Sequence, residues 1–170
     1  MTLLNAELHI NVSILKENIC YLKTRIDKKS NFLAVVKANA YGHSLKKFVE
    51  KLDDCVDGYA LVRLDEALQV RDLSKKPILL MQGIYDDDEA LIAKRNGFMC
   101  VLHTQEQIRT YSRNLENKNI WLKVNTGMNR LGFSENVLTD LNLLNIKPSV
   151  LMSHLALSLI HISEPTRPVP

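Results

Sequence analysis

In NFLAVVKANAYGHS, residues 31–44, an apolar run ends on a lysine. Phe32 to Val36 have the apolar, partly β-branched character of a strand that is buried on both faces, as in a parallel sheet. Lys37 stands at the C-terminal end of this run. A lysine in that place either extends its amine to solvent or holds it in a pocket, and this stretch alone leaves both interpretations open.

The rest of the chain alternates between apolar runs and stretches with helical spacing. Runs typical of strands lie near residues 32–36, 59–62, 78–81, 98–102, 120–124 and 149–153. Between them, RLDEALQVRDL (63–73) has helical spacing, and the acidic DDDE (86–89) is typical of a first helical turn. This alternation predicts parallel strands joined by right-handed crossovers. The candidates are an open doubly wound sheet and a (β/α)8 barrel.

The segment before the first run has two patterns of its own. AELHINV (6–12) alternates like a separate strand. Leu15, Ile19, Leu22 and Ile26 mark one face of an amphipathic helix. We therefore expect a strand and then a helix ahead of the first buried strand.

The position of the polar residues favours the barrel. An open sheet that binds a dinucleotide carries GxGxxG in its first turn, and KANAYGHS (37–44) has one glycine. Barrels place their functional groups at the C-terminal ends of strands. Lys37 closes the first run, Arg130 follows the fifth and His154 closes the sixth. The alternatives are a solvated surface arginine at 130 and a core histidine bonded to backbone at 154.

Composition excludes several classes of protein. The 170 residues are 46% hydrophobic and 24% charged, as in an ordinary globular domain. The net charge of +3 comes without a basic block, so we expect no nucleic-acid partner. Neither a membrane span nor a signal peptide is visible, which predicts a cytoplasmic protein. Cys20, Cys55 and Cys100 lack CxxC spacing, so free, mostly buried thiols and no metal site are expected.

Four segments resemble one known family in the right order. AVVKANAYGH (34–43) resembles the signature of alanine racemases, in which the lysine carries pyridoxal 5'-phosphate. LKVNTGMNRLGF (122–133) resembles a second signature of that family, LKVDTGMxRLGF. GYALVRLDEALQVR (58–71) and LMSHLA (151–156) also resemble family segments. The resemblance covers about residues 5–156.

Two residues depart from the family pattern. Asn125 stands where the family usually has aspartate, and Ser44 stands where it usually has glycine. Neither position matches a catalytic group of the family. Ser44 is of a residue type that caps helices, so we expect it to cap the helix that follows.

The resemblance implies a fold and a set of site residues. The fold would be α/β, about six of the eight strands of the racemase barrel, without the family's C-terminal β domain. Lys37 would hold pyridoxal 5'-phosphate and act as a base. Tyr41 would contact the cofactor phosphate, and His154 would lie against the cofactor ring. Arg130 would bind the substrate carboxylate, and Lys123 matches a lysine that is carbamylated in some members.

The resemblance also implies an activity and a partner. Family members interconvert L-alanine and D-alanine for peptidoglycan precursors, as homodimers in which a tyrosine of the partner's β domain is the second base. Since this chain lacks a counterpart of that tyrosine, we expect it to be inactive by itself. The alternatives are a racemase for serine or a broader amino-acid set, and a single-domain protein that binds the same cofactor.

The C-terminal tail differs from the rest of the chain. LSLIHISEPTRPVP, residues 157–170, holds three of the five prolines. Its first eleven residues resemble the translation of a transposon-end sequencing adapter, residue for residue. We therefore divide the chain into a barrel segment, 1–156, and a non-native tail, 157–170. The codons of the tail would test this division.

Overall fold

The protein is described from a computed structural model, which covers residues 8–114, 120–134 and 148–154. The chain divides into two compact units, Met1–Leu79 and Leu80–Pro170. Each unit is described by itself. The predicted tail lies outside the described residues and stays a prediction.

The first unit is built on neighbouring strands that are covered by helices. Its elements are α1 Val12–Lys23, β1 Leu33–Val35, α2 Lys37–Tyr41, α3 Leu45–Leu52, β2 Gly58–Leu61, α4 Leu64–Leu73 and β3 Ile78–Leu80, whose last residue belongs to the second unit. β2 lies between β1 and β3. β1 and β2 are parallel, with Leu33 opposite Gly58.

Burial explains why these segments became strands and helices. Every residue of β2 and β3 is buried, as expected for strands with helices on their faces. α3 buries Leu45, Val49 and Leu52, whose spacing puts them on one helical face. Gly58 permits a close strand contact, because a Cβ there would lie 2.7 Å from the Pro77 carbonyl oxygen.

The second unit repeats the same plan. Its elements are α5 Asp87–Asn96, β4 Met99–Leu102, α6 Gln105–Asn114, β5 Ile120–Lys123 and β6 Val150–Met152. β5 lies between β4 and β6 and is parallel to both. The side chain of Asp86 accepts the Glu89 N–H and so caps α5, whose first turn holds the other three residues of the acidic run. Gly97 ends that helix in a left-handed conformation.

The six predicted strands are confirmed, each to within one residue at either end. The predicted strand over 6–12 is wrong for its described part, since residues 8–11 form no strand and α1 begins at Val12. The Asn11 side chain accepts the Ile14 N–H, which fixes the helix start there. Ile26 lies beyond the end of α1, and Ile19 is the only buried residue of that helix.

Two smaller predictions need correction. The three cysteines are free, but only Cys100 is buried, while Cys20 is exposed and Cys55 is partly exposed. Burial raises the pKa of the Cys100 thiol to about 12. Ser44 precedes α3, but its side chain makes no capping bond. Within the described residues, no helix has both the length and the apolar character needed to cross a membrane.

Candidate active site

Lys37 follows β1 after one residue, the buried Val36, while Val35 at the end of β1 is 43% exposed. Val36 is 1% exposed, and its N–H donates to the Ala60 carbonyl, which extends the pairing with β2. The Lys37 side chain is half-buried, and its amine makes no hydrogen bond or ion pair with any described residue. Its nitrogen lies 6.0 Å from the centre of the Tyr41 ring. Apart from this ring, the part of the chain that the structure describes gives the Lys37 amine no partner.

The segment α2, which begins at Lys37, is a left-handed turn and not a right-handed helix. Ala38, Asn39, Ala40 and Tyr41 all have φ between 52° and 54°, so four consecutive non-glycine residues are left-handed. Each such residue costs about 1–2 kcal/mol relative to a right-handed conformation. Backbone bonds close the turn, with the Ala40 N–H donating to Val36 and the Gly42 N–H donating to Ala38. Contacts with residues outside the turn must offset the remaining cost of its left-handed backbone.

Glu66 provides the contact from outside. Its carboxylate accepts the Asn39 N–H at 2.7 Å and the Ala38 N–H at 3.3 Å, and the residue is only 8% exposed. The Asn39 side chain in turn accepts the Leu45 N–H at 2.8 Å. Asn39 thus caps α3 in place of Ser44, whose φ of 71° and ψ of 95° differ from the extended conformation usual for a capping residue.

Lys123 is the buried cation of the second unit. It ends β5 at 6% exposure, and no described residue forms a hydrogen bond or ion pair with its amine. Burial lowers its pKa, and the nearby Arg130 guanidinium lowers it further. The amine is therefore neutral more often than that of an exposed lysine.

The loop after β5 carries Arg130 and is closed at its base. The Phe133 N–H donates to the Lys123 carbonyl at 2.8 Å, and the Asn125 N–H donates to the Phe133 carbonyl at 2.9 Å. Inside the loop, the Asn125 side chain accepts two backbone N–H groups, from Gly127 and Asn129. Its amide also donates to the Asn129 side chain at 2.8 Å. An aspartate, usual in the family, could accept both N–H groups but could not donate.

Three of the predicted site residues line one small cavity. Lys123 lies beside the loop that carries Arg130, and His154 follows β6. Arg130 and His154 are exposed. The hydroxyls of Thr126 and Ser153 are 2.6 Å apart, which joins the loop to the end of β6. The second unit therefore brings these three residues together, as the first unit does Lys37 and Tyr41. That all five form one site stays a prediction.

The sequence interpretation missed His103, which follows the end of β4. The pairing of Leu102 with Leu122 places His103 beside Lys123 in the parallel register. Its Nε2 lies 3.2 Å from the Gln82 carbonyl, while Nδ1 is buried without a hydrogen-bond partner among the described residues. Burial lowers the pKa of the ring. A polar residue at a strand end was the available signal, the same one that identified Lys37.

Residues that could bind a metal are not clustered. Within the described ranges, no group of three or more histidine, cysteine, aspartate or glutamate residues is placed to hold an ion. The predicted site residues of the two units instead carry amines, a guanidinium, a phenol and an imidazole. This set suits an organic anion or an aldehyde better than a cation.

Comparisons with known proteins agree on one family. The family model described as "Alanine racemase, N-terminal domain" matches residues 10–167. The alanine racemase of Mannheimia succiniciproducens is 42% identical over 132 residues, which are 76% of this chain and 37% of that protein. The crystal structure of the biosynthetic alanine racemase from Pseudomonas aeruginosa matches with a TM-score of 0.74 and 34% identity, over 84% of this chain and 42% of that one.

A further solved structure is similar over a comparable share of the chain. It is the alanine racemase from Bartonella henselae with covalently bound pyridoxal phosphate, with a TM-score of 0.74 and 25% identity, over 87% of this chain and 44% of that one. These similarities confirm the predicted fold class, part of the α/β barrel of the alanine racemase type. The chain spans about two fifths of the length of the relatives it matches. On the family model, the sequence identity and the fold together, the chain belongs to the alanine racemase family.

Proposed function

We propose that this chain is the lysine-bearing part of a racemase that interconverts L-alanine and D-alanine with pyridoxal 5'-phosphate. The observation that carries the proposal is Lys37, whose half-buried side chain makes no hydrogen bond or ion pair among the described residues and stands just past the end of β1. Membership of the family and the covalently bound cofactor of the Bartonella henselae relative support it.

The residues present fit this cofactor. The Lys37 amine can bond to its aldehyde, and the exposed Tyr41 hydroxyl is a suitable donor to its phosphate. Arg130 is exposed on a closed loop, where its planar fork can bind a carboxylate through two hydrogen bonds. His154 lines the same cavity as Arg130 and would lie against the cofactor ring.

Each residue then has a definite part in the reaction. The bound cofactor supplies an electron sink for the substrate α-carbon. Lys37, once its amine is free, takes a proton from that carbon or returns one. Arg130 orients the substrate through its carboxylate. Lys123 would hold Arg130 in place if its amine carried a carbamate. Carbamate formation requires a neutral amine, which the lowered pKa of Lys123 favours.

The wider roles are part of the same proposal. We place the enzyme in the cytoplasm, as a homodimer that supplies D-alanine for peptidoglycan. Serine or a broader set of amino acids is the alternative substrate, and a cofactor-binding protein without racemase activity is the alternative function. In a full-length homodimer that contains this segment, D-alanine formed above a Lys37→Ala control would separate the racemase from the binding protein. For the purified 170-residue chain alone, we expect no such excess.

Reductive trapping tests the cofactor assignment. The purified chain is mixed with pyridoxal 5'-phosphate and reduced with borohydride, and the labelled peptides are identified by mass. We expect label on Lys37, loss of that label in Lys37→Ala, and no change in Lys75→Arg, which alters an exposed loop lysine. Label on other lysines with Lys37 unmodified would falsify the proposal.

A further inference from the structure

We infer that Glu66 is a positioning residue for Lys37, which acts by holding the left-handed turn that follows the lysine. This inference rests on the proposed function, because the quantity that Glu66 controls is the attachment of the cofactor to the Lys37 amine. Glu66 itself is on α4 and would touch neither cofactor nor substrate. It acts through the backbone of residues 38 and 39.

The geometry is that of a carboxylate bound by a small anion site. The N–H groups of Ala38 and Asn39 both point at the Glu66 carboxylate, one at each oxygen. Consecutive N–H groups that converge in this way form a concave site for negative charge. Glu66 also lies in the first turn of α4, where a negative charge is favoured by the helix dipole. The same carboxylate is thus stabilised from two sides.

The turn needs this contact because its own sequence opposes it. None of residues 38–41 is a glycine, and alanine occupies two of the four left-handed positions. Without the Glu66 carboxylate, two backbone donors lose their partner, and the turn keeps only the Asn39 side chain's contact with the Leu45 N–H as external support. Residues 38–41 would then relax toward right-handed conformations. Since Lys37 is bonded to Ala38, its Cα and side chain would change direction.

The experiment measures the rate at which cofactor becomes attached to Lys37, by borohydride quenching and mass analysis. Glu66→Ala should slow this attachment at least about tenfold, the factor that corresponds to about 1.4 kcal/mol. Glu66→Gln should slow it less, because its one carbonyl oxygen can still accept the Asn39 N–H. Asp65→Ala is the matched control, since it removes an exposed carboxylate from the same helical turn, and it should leave the rate unchanged.

A rescue variant separates positioning from general stability. Glycine adopts left-handed conformations at little cost, so Ala38→Gly added to Glu66→Ala should restore most of the lost rate. A loss that came only from weaker packing of α4 would not be restored. The midpoint of urea unfolding, measured on each variant, reports folding separately. If Glu66→Ala does not fold, the Glu66→Gln chain with and without Ala38→Gly gives the same comparison.

The possible results divide cleanly. Slower attachment in the Glu66 variants with recovery by Ala38→Gly supports the inference. Unchanged attachment in a folded Glu66 variant, or loss without recovery by glycine, overturns the inference and leaves the proposed function standing. Absence of label on Lys37 in the wild-type chain overturns both.

Discussion

Gly132→Ala should destabilise the chain well beyond the ordinary cost of an alanine at a glycine position. Gly132 has φ +120°, and a Cβ there would lie 2.7 Å from the Asn125 nitrogen and 2.9 Å from the Val124 carbonyl carbon. Both atoms are backbone, so they cannot rotate away as a side chain would. The substitution therefore forces the base of the Arg130 loop to move.

The magnitude follows from two contributions. A side chain at such a φ costs of order 1–3 kcal/mol. Displacing the backbone at Asn125 also weakens the two hydrogen bonds that close the loop through Phe133, each worth about 0.5–1.5 kcal/mol net. We expect a loss of about 2–4 kcal/mol in the free energy of unfolding. Because Arg130 lies in this loop, its position should change as well.

Gly97→Ala is the control for backbone strain alone. Gly97 has φ +65°, and a Cβ there would have no atom within 4 Å. Its alanine variant should lose only about 1 kcal/mol. Urea unfolding followed by circular dichroism gives both values by linear extrapolation. If the two variants lose the same free energy within about 0.5 kcal/mol, the close contact does not matter and the reasoning is refuted.

Three further predictions use hydrogen bonds and pKa shifts. Asn125→Ala should lower the free energy of unfolding in urea by about 1–3 kcal/mol, because the loop loses three hydrogen bonds, including the one to the Asn129 side chain. Asn125→Asp keeps two acceptors, so its free energy of unfolding should fall by less. Equal losses in the two variants would contradict this. Lys123→Met should raise the free energy of unfolding at pH 7, since it removes a buried ammonium. Burial lowers the pKa of Lys123 in the folded state. Between this folded-state pKa and the unfolded-state pKa, the free energy of unfolding of the wild-type chain should rise with pH, and that of Lys123→Met should not. The hydrogen bond from Lys23 lowers the pKa of Asp57 in the folded state. Asp57 therefore stabilises the fold above its unfolded-state pKa, and this stabilisation is lost as the pH falls through its folded-state pKa. The stability of Asp57→Asn should depend less on pH in the acid range, and an unchanged pH dependence would argue against this.

The strands could be predicted because burial on both faces leaves a direct trace in the sequence. Ile78, Leu79 and Leu80 are all at most 3% exposed, and any polar substitution there would be buried without a partner. The position of β1 was predictable from its apolar run, which stops at Lys37, but the expected burial of that strand on both faces is wrong, since Val35 is 43% exposed. Local apolar character and its end are thus sufficient for strands of this kind.

The turn after Lys37 could not be predicted from its own residues. The usual signal for left-handed backbone is glycine or asparagine, and Asn39 is the only such residue in KANAY. The deciding contact comes from Glu66, 27 residues along the chain from Asn39. Ser44 was the expected capping residue because it directly precedes α3, but the Asn39 side chain accepts the Leu45 N–H instead. Tertiary contacts overrode local preference at both positions.

Two costs that the fold does not need support the proposed site independently of family resemblance. The left-handed turn beside Lys37 strains four residues, although a strand can be followed by a right-handed helix without strain. Lys123 is buried with no anion bonded to it among the described residues, although a leucine would pack there without that penalty. Strain and perturbed ionisation concentrate at functional sites, because only function compensates for the stability they remove. Each cost lies beside a residue proposed to act on cofactor or substrate, Lys37 in the first unit and Arg130 in the second. If variants that remove the strain and the buried amine kept cofactor attachment and substrate binding, these two features would not be evidence for a functional site.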